Sequence, residues 1–555
     1  MPRVTIIGAG VAGLTAAFRL AERGYDVNLF EQDGFVGGKF RATRWVGNSE
    51  SAFHEHSYHM FLNWYHNFWQ IAEEIGARKM FVPLTSVHFL RSGHFPKLQE
   101  LVNFGSLASV PQNLLSGVLP ISEMMLYMYS VLDLLGTPMG QSKYHDLISV
   151  NAFASTRPYA TEASVKMYDE YLAKTFAIAS YQSSAKTFQS FLEYGTYCPE
   201  PLYWALAGDC YSTFLRPMQD AVQRRGVNIY FYKKAAKLHL GRAGKVAAIT
   251  FEQVREGFHP TLSEFPHQDA LQRELLFKEK DKYEVDGSVI LAVPHSAVSK
   301  LLTPDLLNRN PELGESEKLR SVPMASVHLH LNKKFRERLG VLNVRLPREP
   351  IVLVDSRYKL SFVANSSLWP ELRDTTYLNI VASDSRPLEH LEAPAQYTDD
   401  RRHRGPGHDL NLEDPVTTLD HILHEFRRFV HFERDEIDFE LLHLDRNTGR
   451  ELFINEVGSW MWRPETRTAV SNLFLAGDFC KNPIDVVCLE GAVVSGLQAA
   501  ECVRRREGRG APIMIALPKR YPYPTFWPLK VALAPYVAAA KAWAVFKDVV
   551  KALGE

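Results

Sequence analysis

The first stretch of the chain divides by its apolar pattern into three pieces. Arg3 to Ile7 is a short apolar run rich in β-branched residues, Gly8-Ala9-Gly10-Val11-Ala12-Gly13 follows at once, and Leu14 to Gly24 is alanine-rich with a glycine stop. This predicts strand, glycine turn and helix. Asp26 to Phe30 predicts a second strand, which delivers Glu31 roughly 20 residues after the glycines.

That order has a chemical reading. Glycines at 8, 10 and 13 let backbone approach a pyrophosphate, and the start of the helix at Val11 and Ala12 offers free N–H groups and the positive end of a dipole. A carboxylate at Glu31 can take the ribose hydroxyls of an adenosine. Gly37-Gly38-Lys39 adds a second glycine pair and a cation, which a plain nicotinamide site does not require, so FAD is favoured. A surface role for Lys39 stays open.

Further on, Phe53 to Trp69 mixes four histidines with aromatics. It reads as a strand-to-helix junction with histidines in its wall, because His54, His56 and His59 lack HExxH spacing; no metal site is expected. Residues 104 to 136, broken by Pro111 and Pro120, predict two or three apolar helices too short to cross a bilayer, serving either as core or as the lining of an oily tunnel. Leu215 to Arg225 predicts a helix and Gly226 to Tyr232 a strand returning to the nucleotide domain, with Ala236 just beyond it placed among the cofactor residues. The charged stretch 253–283 predicts a solvated excursion, and Val285 to Pro294 a buried strand. Ser326 to Leu331 and Ile351 to Val354 alternate with period two and predict a second sheet, with His328 and His330 on one face. Residues 394–416 predict an exposed loop.

Two late segments complete the nucleotide pattern. Asn472 to Phe479 predicts a buried strand ending in Gly477-Asp478, where a carboxylate can bind ribityl hydroxyls. Glu490-Gly491-Ala492-Val493 begins a small-residue helix whose N–H groups can hold the N1/O2 edge of a reduced flavin. At the C-terminus, past Pro535, Tyr536, Ala539, Trp543, Phe546, Val550 and Leu553 recur at three-four spacing, with Lys541, Lys547, Asp548 and Lys551 opposite. Residues 536–553 therefore predict an amphipathic helix, too charged to span, that lies on a membrane surface, packs on the protein's own body or pairs with a second subunit.

Composition narrows the class. Of 555 residues, 46% are hydrophobic and 23% charged, enough for two or more cores, and 63 basic residues balance 63 acidic ones, so nothing points to nucleic acid. The five cysteines show no CxxC pair, and the chain starts directly in its first strand; a cytoplasmic setting, with peripheral membrane placement as an option, is the expectation.

The set Gly8/Gly10/Gly13, Glu31, Gly37-Gly38-Lys39, Ala476-Gly477-Asp478 and Glu490-Gly491-Ala492-Val493 resembles the flavin-containing amine oxidase superfamily from residue 3 to about 505. Within it, Glu55-His56-Ser57-Tyr58-His59-Met60-Phe61 with Tyr65 and Asn67 resembles the E-x-G-L-H-x-F-F-x-x-Y-x-N segment of plant-type carotene desaturases and their squalene-processing relatives, with Ser57 replacing a glycine. Amine-oxidising members place a lysine near flavin N5 in the strand that Ser326–Leu331 resembles and an aromatic just before E-G-A-V; here stand His328, Leu329 and Cys488.

The resemblance implies an α/β fold: a Rossmann-like FAD-binding domain with a parallel sheet, from 1–90, 205–295 and 440–515, and an interleaved α+β substrate-binding domain from 91–204 and 296–439, followed by the tail 516–555. It implies an FAD-dependent oxidoreductase acting on a lipophilic isoprenoid or polyene by hydride transfer, with a quinone or O2 as electron acceptor. His59, Glu55 and His56 are the candidates for handling the accompanying proton. The alternatives are an amine or amino-acid oxidase with altered cage residues and a non-enzymatic prenyl-binding escort protein of the same fold.

Overall fold

The computed structural model describes residues 1–44, 53–102, 109–140, 145–198, 200–254, 277–372, 374–384, 415–447 and 451–554. The expected loop at 394–416 falls almost wholly outside them; at its end Pro415–Arg427 is helical.

Five parallel strands make the first sheet, in the order Asn228–Tyr230, Asp26–Phe30, Arg3–Ile7, Ser288–Leu291 and Leu473–Leu475. The fold is α/β and Rossmann-like. Strands buried on both faces need near-continuous apolar sequence, and Val4, Ile6, Leu29, Ile290 and Leu475 are fully buried. The helices Val11–Ala21 and Leu489–Glu507 pack against each other beside this sheet. Chain order does not follow strand order: the central pair is completed by strands hundreds of residues away.

The charged stretch before Val285 contains more structure than its composition suggests. Phe277–Glu284 pairs antiparallel with Val246–Val254, which pairs with Lys233–Leu240. Lys280, Asp281, Lys282 and Glu284 face solvent while Tyr283 anchors the strand edge-on to Phe30, with ring centroids 4.9 Å apart. Composition alone reads such a strand as a solvated loop.

A second sheet has seven strands, in the order His443–Arg446, Ala325–Leu331, Thr376–Ala382, Leu360–Ala364, Ile351–Leu353, Ser86–Leu90 and Gln99–Val102. All neighbours are antiparallel except Ile351–Leu353 with Ser86–Leu90. Its face is closed by Leu419, Ile422, Leu423 and Phe426 of the helix Pro415–Arg427. At the level of sheets, then, Ser86–Leu90 and His443–Arg446 belong with the middle of the chain.

The helix Ile121–Leu135 packs on Glu162–Phe176 and Ala185–Tyr197 as a helical layer that shares its core with the first sheet. The C-terminal helix runs from Trp527 to Gly554, longer than its proline-rich start suggests. Pro528 sits in the first turn, where no N–H partner is lost, and Pro535 lies inside the helix. The added stretch from Trp527 to Ala540 carries only Lys530, so Tyr523–Leu553 is long and apolar enough to cross a membrane, contrary to the expectation drawn from its charged end. Its buried face is Val537, Ala540 and Ala544, which pack on Leu126 of Ile121–Leu135. The seam read from the sequence points the other way: Tyr536, Trp543, Phe546, Val550 and Leu553 are exposed.

Candidate functional site

A cavity of about 670 Å³ runs from the carboxyl ends of the parallel strands to the helical layer. Ligands of open parallel sheets bind in this crevice, where the chain reverses strand order.

The glycine turn forms one wall. Gly8, Gly10, Val11 and Ala12 line the cavity, and the helix Val11–Ala21 starts at Gly10 with no side chain capping its N–H groups. The glycines differ in what they permit. A Cβ on Gly13 would stand 1.9 Å from the Gly8 carbonyl oxygen, so Gly13 serves the turn's packing and does not line the cavity. A Cβ on Gly10 would meet nothing closer than the Gly38 Cα at 3.8 Å. The protein's own packing therefore does not demand a bare backbone at Gly10, whereas a diphosphate approaching these N–H groups does.

Glu31 is buried at the end of its strand. Its carboxylate accepts hydrogen bonds from the Ala9 N–H (2.7 Å) and the Asp33 N–H (3.0 Å), which aim it across the glycine turn. Gly37 and Gly38 close over Gly10, the Gly37 N–H donating to Ala9 O at 2.9 Å, and Lys39 Nζ lies 3.5 Å from Asp478 Oδ2. That places Lys39 on the cavity wall rather than on a free surface. Ala236, Gly477 and Asp478 line the same space.

The late helix is only partly turned to the cavity. Cys488, Leu489 and Ala492 line it, while Gly491 and Val493 do not. Glu490 corrects the sequence reading. Its carboxylate faces away, accepting from the Asn67 N–H (2.9 Å), Asn67 Nδ2 (2.6 Å) and the Phe68 N–H (2.9 Å). It thus joins the start of His66–Glu74 to the start of Leu489–Glu507, and full burial pushes its carboxyl up to about 7 against those donors. Cys488 Sγ accepts the Gly491 N–H at 3.3 Å, and burial holds its thiol up at about 12.

Of the proton-handling candidates, His56 and His59 line the cavity, with ring centroids 5.2 Å apart. Glu55 lies behind them, 4% exposed, with one carboxylate oxygen 3.4 Å from His59 Nδ1 and the other accepting the Cys210 N–H at 2.7 Å. His328 is fully buried against Tyr377 (Nδ1 to Oη 2.6 Å) and does not line the cavity.

Beyond the nucleotide end the wall becomes apolar, with Leu172, Phe176, Ile178, Phe188, Phe191 and Val486. Leu172 and Phe176 come from Glu162–Phe176, Phe188 and Phe191 from Ala185–Tyr197, and Ile178 and Val486 from the segments between helices; none comes from Ile121–Leu135, which the sequence reading offered as a tunnel lining. Ile121–Leu135 lies instead beneath the C-terminal helix, with Tyr127 edge-on to Tyr168 at 5.1 Å. Lys174 was missed: it lines the cavity, donates to Leu353 O at 2.7 Å and pairs with Glu170, and burial lowers its ammonium to about 8. Thr187, Phe188 and Phe191 share a helix face that sequence alone assigns to core.

A dinucleotide cradle joined to an oily chamber defines an FAD-binding oxidoreductase. The flavin containing amine oxidoreductase family model matches residues 11–504, and the chain belongs to that family, whose cofactor is FAD. It is 22% identical over 524 residues to the "Probable zeta-carotene desaturase" of Synechococcus elongatus (90% of this chain, 98% of that one). It is 21% identical over 514 residues to the 15-cis-phytoene desaturase of Solanum lycopersicum (90% and 77%). An oxidoreductase from Methanosarcina mazei shares the fold with a TM-score of 0.60 at 15% identity, covering 90% of this chain and 100% of that one.

Proposed function

We propose that this oxidoreductase desaturates, or carries out a related redox or isomerisation step on, a lipophilic isoprenoid or polyene. The observation that carries the reading is the distribution of charge along the cavity. The acids on its wall, Glu31, Asp33, Glu252 and Asp478, all lie at the nucleotide end, and the apolar end holds the cation Lys174. Among the described residues a cationic amine would meet no carboxylate on that wall, Glu170 behind it being already paired with Lys174 and Lys359, whereas a hydrocarbon chain loses nothing by entering.

FAD, held by the Gly8–Gly13 turn, Glu31, Gly37-Gly38-Lys39, Ala236, Asp478 and the Leu489–Glu507 helix start, would supply the hydride acceptor. The chain's own contribution is to fix an alkyl substrate against that acceptor, exclude water with Phe176, Phe188 and Phe191, and receive a proton on His59. His56, beside it, takes part in the same wall, and Glu55 orients the His59 ring. The relatives' names support a carotene-like chain as substrate; a quinone or O2 is the proposed acceptor.

A lipophilic substrate is delivered from a membrane, and the C-terminal helix is the proposed contact. Trp543 is 55% exposed, Phe546 56% and Leu553 82%, an aromatic and aliphatic stripe that solvent alone does not favour. The experiment is anaerobic: FAD-loaded full-length protein is mixed with liposomes carrying ζ-carotene or, separately, with a simple alkyl amine. Flavin bleaching by the carotene and not by the amine is expected; bleaching by the amine alone refutes the proposal.

A further inference from the structure

Behind His59 lies a second, smaller space. It measures about 20 Å³ and shares Tyr58, His59 and Met60 with the large cavity, so those residues form the partition between the two. Glu55 lines only the small space, and Arg348, 44% exposed in its side chain, stands on its wall with Pro350 and Leu368. One water needs roughly 10–15 Å³ and two or more polar partners. Asn365, 2% exposed, lines the space; its Nδ2 lies toward the Tyr377 hydroxyl but makes no well-formed hydrogen bond among the described residues. A buried donor without a partner costs ~1–3 kcal/mol, which a water accepting from Nδ2 and donating to Glu55 would remove.

We infer that this space holds one ordered water, and that His59, Glu55 and that water form a path carrying the substrate proton from the large cavity to solvent beside Arg348. The inference rests on the proposed desaturation. There, two neighbouring substrate carbons lose one C–H bond each, the electron pair of one leaving as hydride to FAD and that of the other forming the new C=C bond. The proton released from the second carbon passes to His59, then from Nδ1 to the Glu55 carboxylate 3.4 Å away, then to the water. The charged and titratable groups facing Glu55 are His56 and His59 from its own segment, Asp209 and Cys210 from the turn packed against it, Tyr377 from the second sheet and Arg348 at the outer end. The charge of Glu55 adds to burial in holding the Asp209 carboxyl up at about 6. In this arrangement Glu55 is a positioning residue: it acts through His59.

The test reads the proton itself and needs no substrate. In FAD-loaded, full-length protein with 15N-labelled histidine, the exchange of the His59 Nδ1 proton with solvent is measured by NMR. Two variants are compared with the wild type. Glu55→Gln keeps an acceptor for the Cys210 N–H and cannot relay a proton. Val363→Ile adds one methylene at the wall of the small space, enough to displace a water, and leaves His59 and Glu55 unchanged. Exchange slowed at least tenfold in both is expected. Exchange within twofold of wild type in either folded variant overturns the path. If ζ-carotene fails to bleach the flavin while both variants slow exchange, the substrate reading fails and the path stands.

Discussion

Replacing Glu490 by glutamine tests which of two opposed effects governs the junction of the two helix starts. Three N–H donors converge on the carboxylate, and each favours its charged form; full burial disfavours it. Burial is the larger effect, taking the carboxyl from 4.5 to about 7. The sign follows from proton counting. Between pH 4.5 and about 7 the folded state holds a proton that the unfolded state has lost, so stability falls as pH rises through that window and is level above it. At about 1.36 kcal/mol for each pH unit of the window, the fall is about 3 kcal/mol. A glutamine has no charge to bury, but its Nε2 cannot accept from the N–H donor that faces it, as either carboxylate oxygen can. Glu490→Gln should therefore be less stable than wild type at pH 5 by about 1–3 kcal/mol and gain on wild type by about 2.5 kcal/mol between pH 5 and pH 8. Urea unfolding of both FAD-loaded proteins across that range, followed by flavin fluorescence, measures the difference, in which the other titrating groups cancel. A difference constant to within about 1 kcal/mol would refute the reasoning and mean that the three donors keep Glu490 charged throughout.

Other consequences are equally direct. Gly13→Ala, whose Cβ would stand 1.9 Å from Gly8 O, should destabilise the apoprotein by more than about 3 kcal/mol, whereas Gly10→Ala, with 3.8 Å of room, should leave its melting near wild type and lose FAD affinity at least tenfold, as read by flavin fluorescence titration. Removing FAD should lower the melting temperature, and restoring it at 100 times its dissociation constant should return about 2.7 kcal/mol, measured by calorimetry. Trp543→Ala combined with Phe546→Ala should weaken sedimentation with phosphatidylcholine–phosphatidylglycerol vesicles at least tenfold without loss of secondary structure, because both rings are exposed and stack on each other at 5.7 Å.

The dinucleotide half of the site was legible in the sequence because its chemistry is local. Gly8 to Gly13, Glu31 and Gly37-Gly38-Lys39 belong to one continuous strand–turn–helix–strand segment, residues 3 to 39, and short-range spacing records where its turns and strand end fall. Asp478 was legible for the same reason, as the end of an apolar strand. Glu490 was not: its motif is local, but the donors it serves, Asn67 and Phe68, lie over four hundred residues earlier, and no spacing reveals which way a carboxylate turns.

The oily chamber and the tail belong to the tertiary structure. A helix such as Ala185–Tyr197 has the same apolar stripe whether it faces a core or a cavity, since burial in either removes the same surface from water, and only the neighbours decide which. Equally, the three-four pattern from Tyr536 to Leu553 declared a stripe, but the helix buried the smaller Val537, Ala540 and Ala544 against Leu126 because small side chains let two helix axes approach closely. The sequence by itself determined the cradle and the helix; packing against distant segments decided what the cradle opens onto and which side of the helix is left bare.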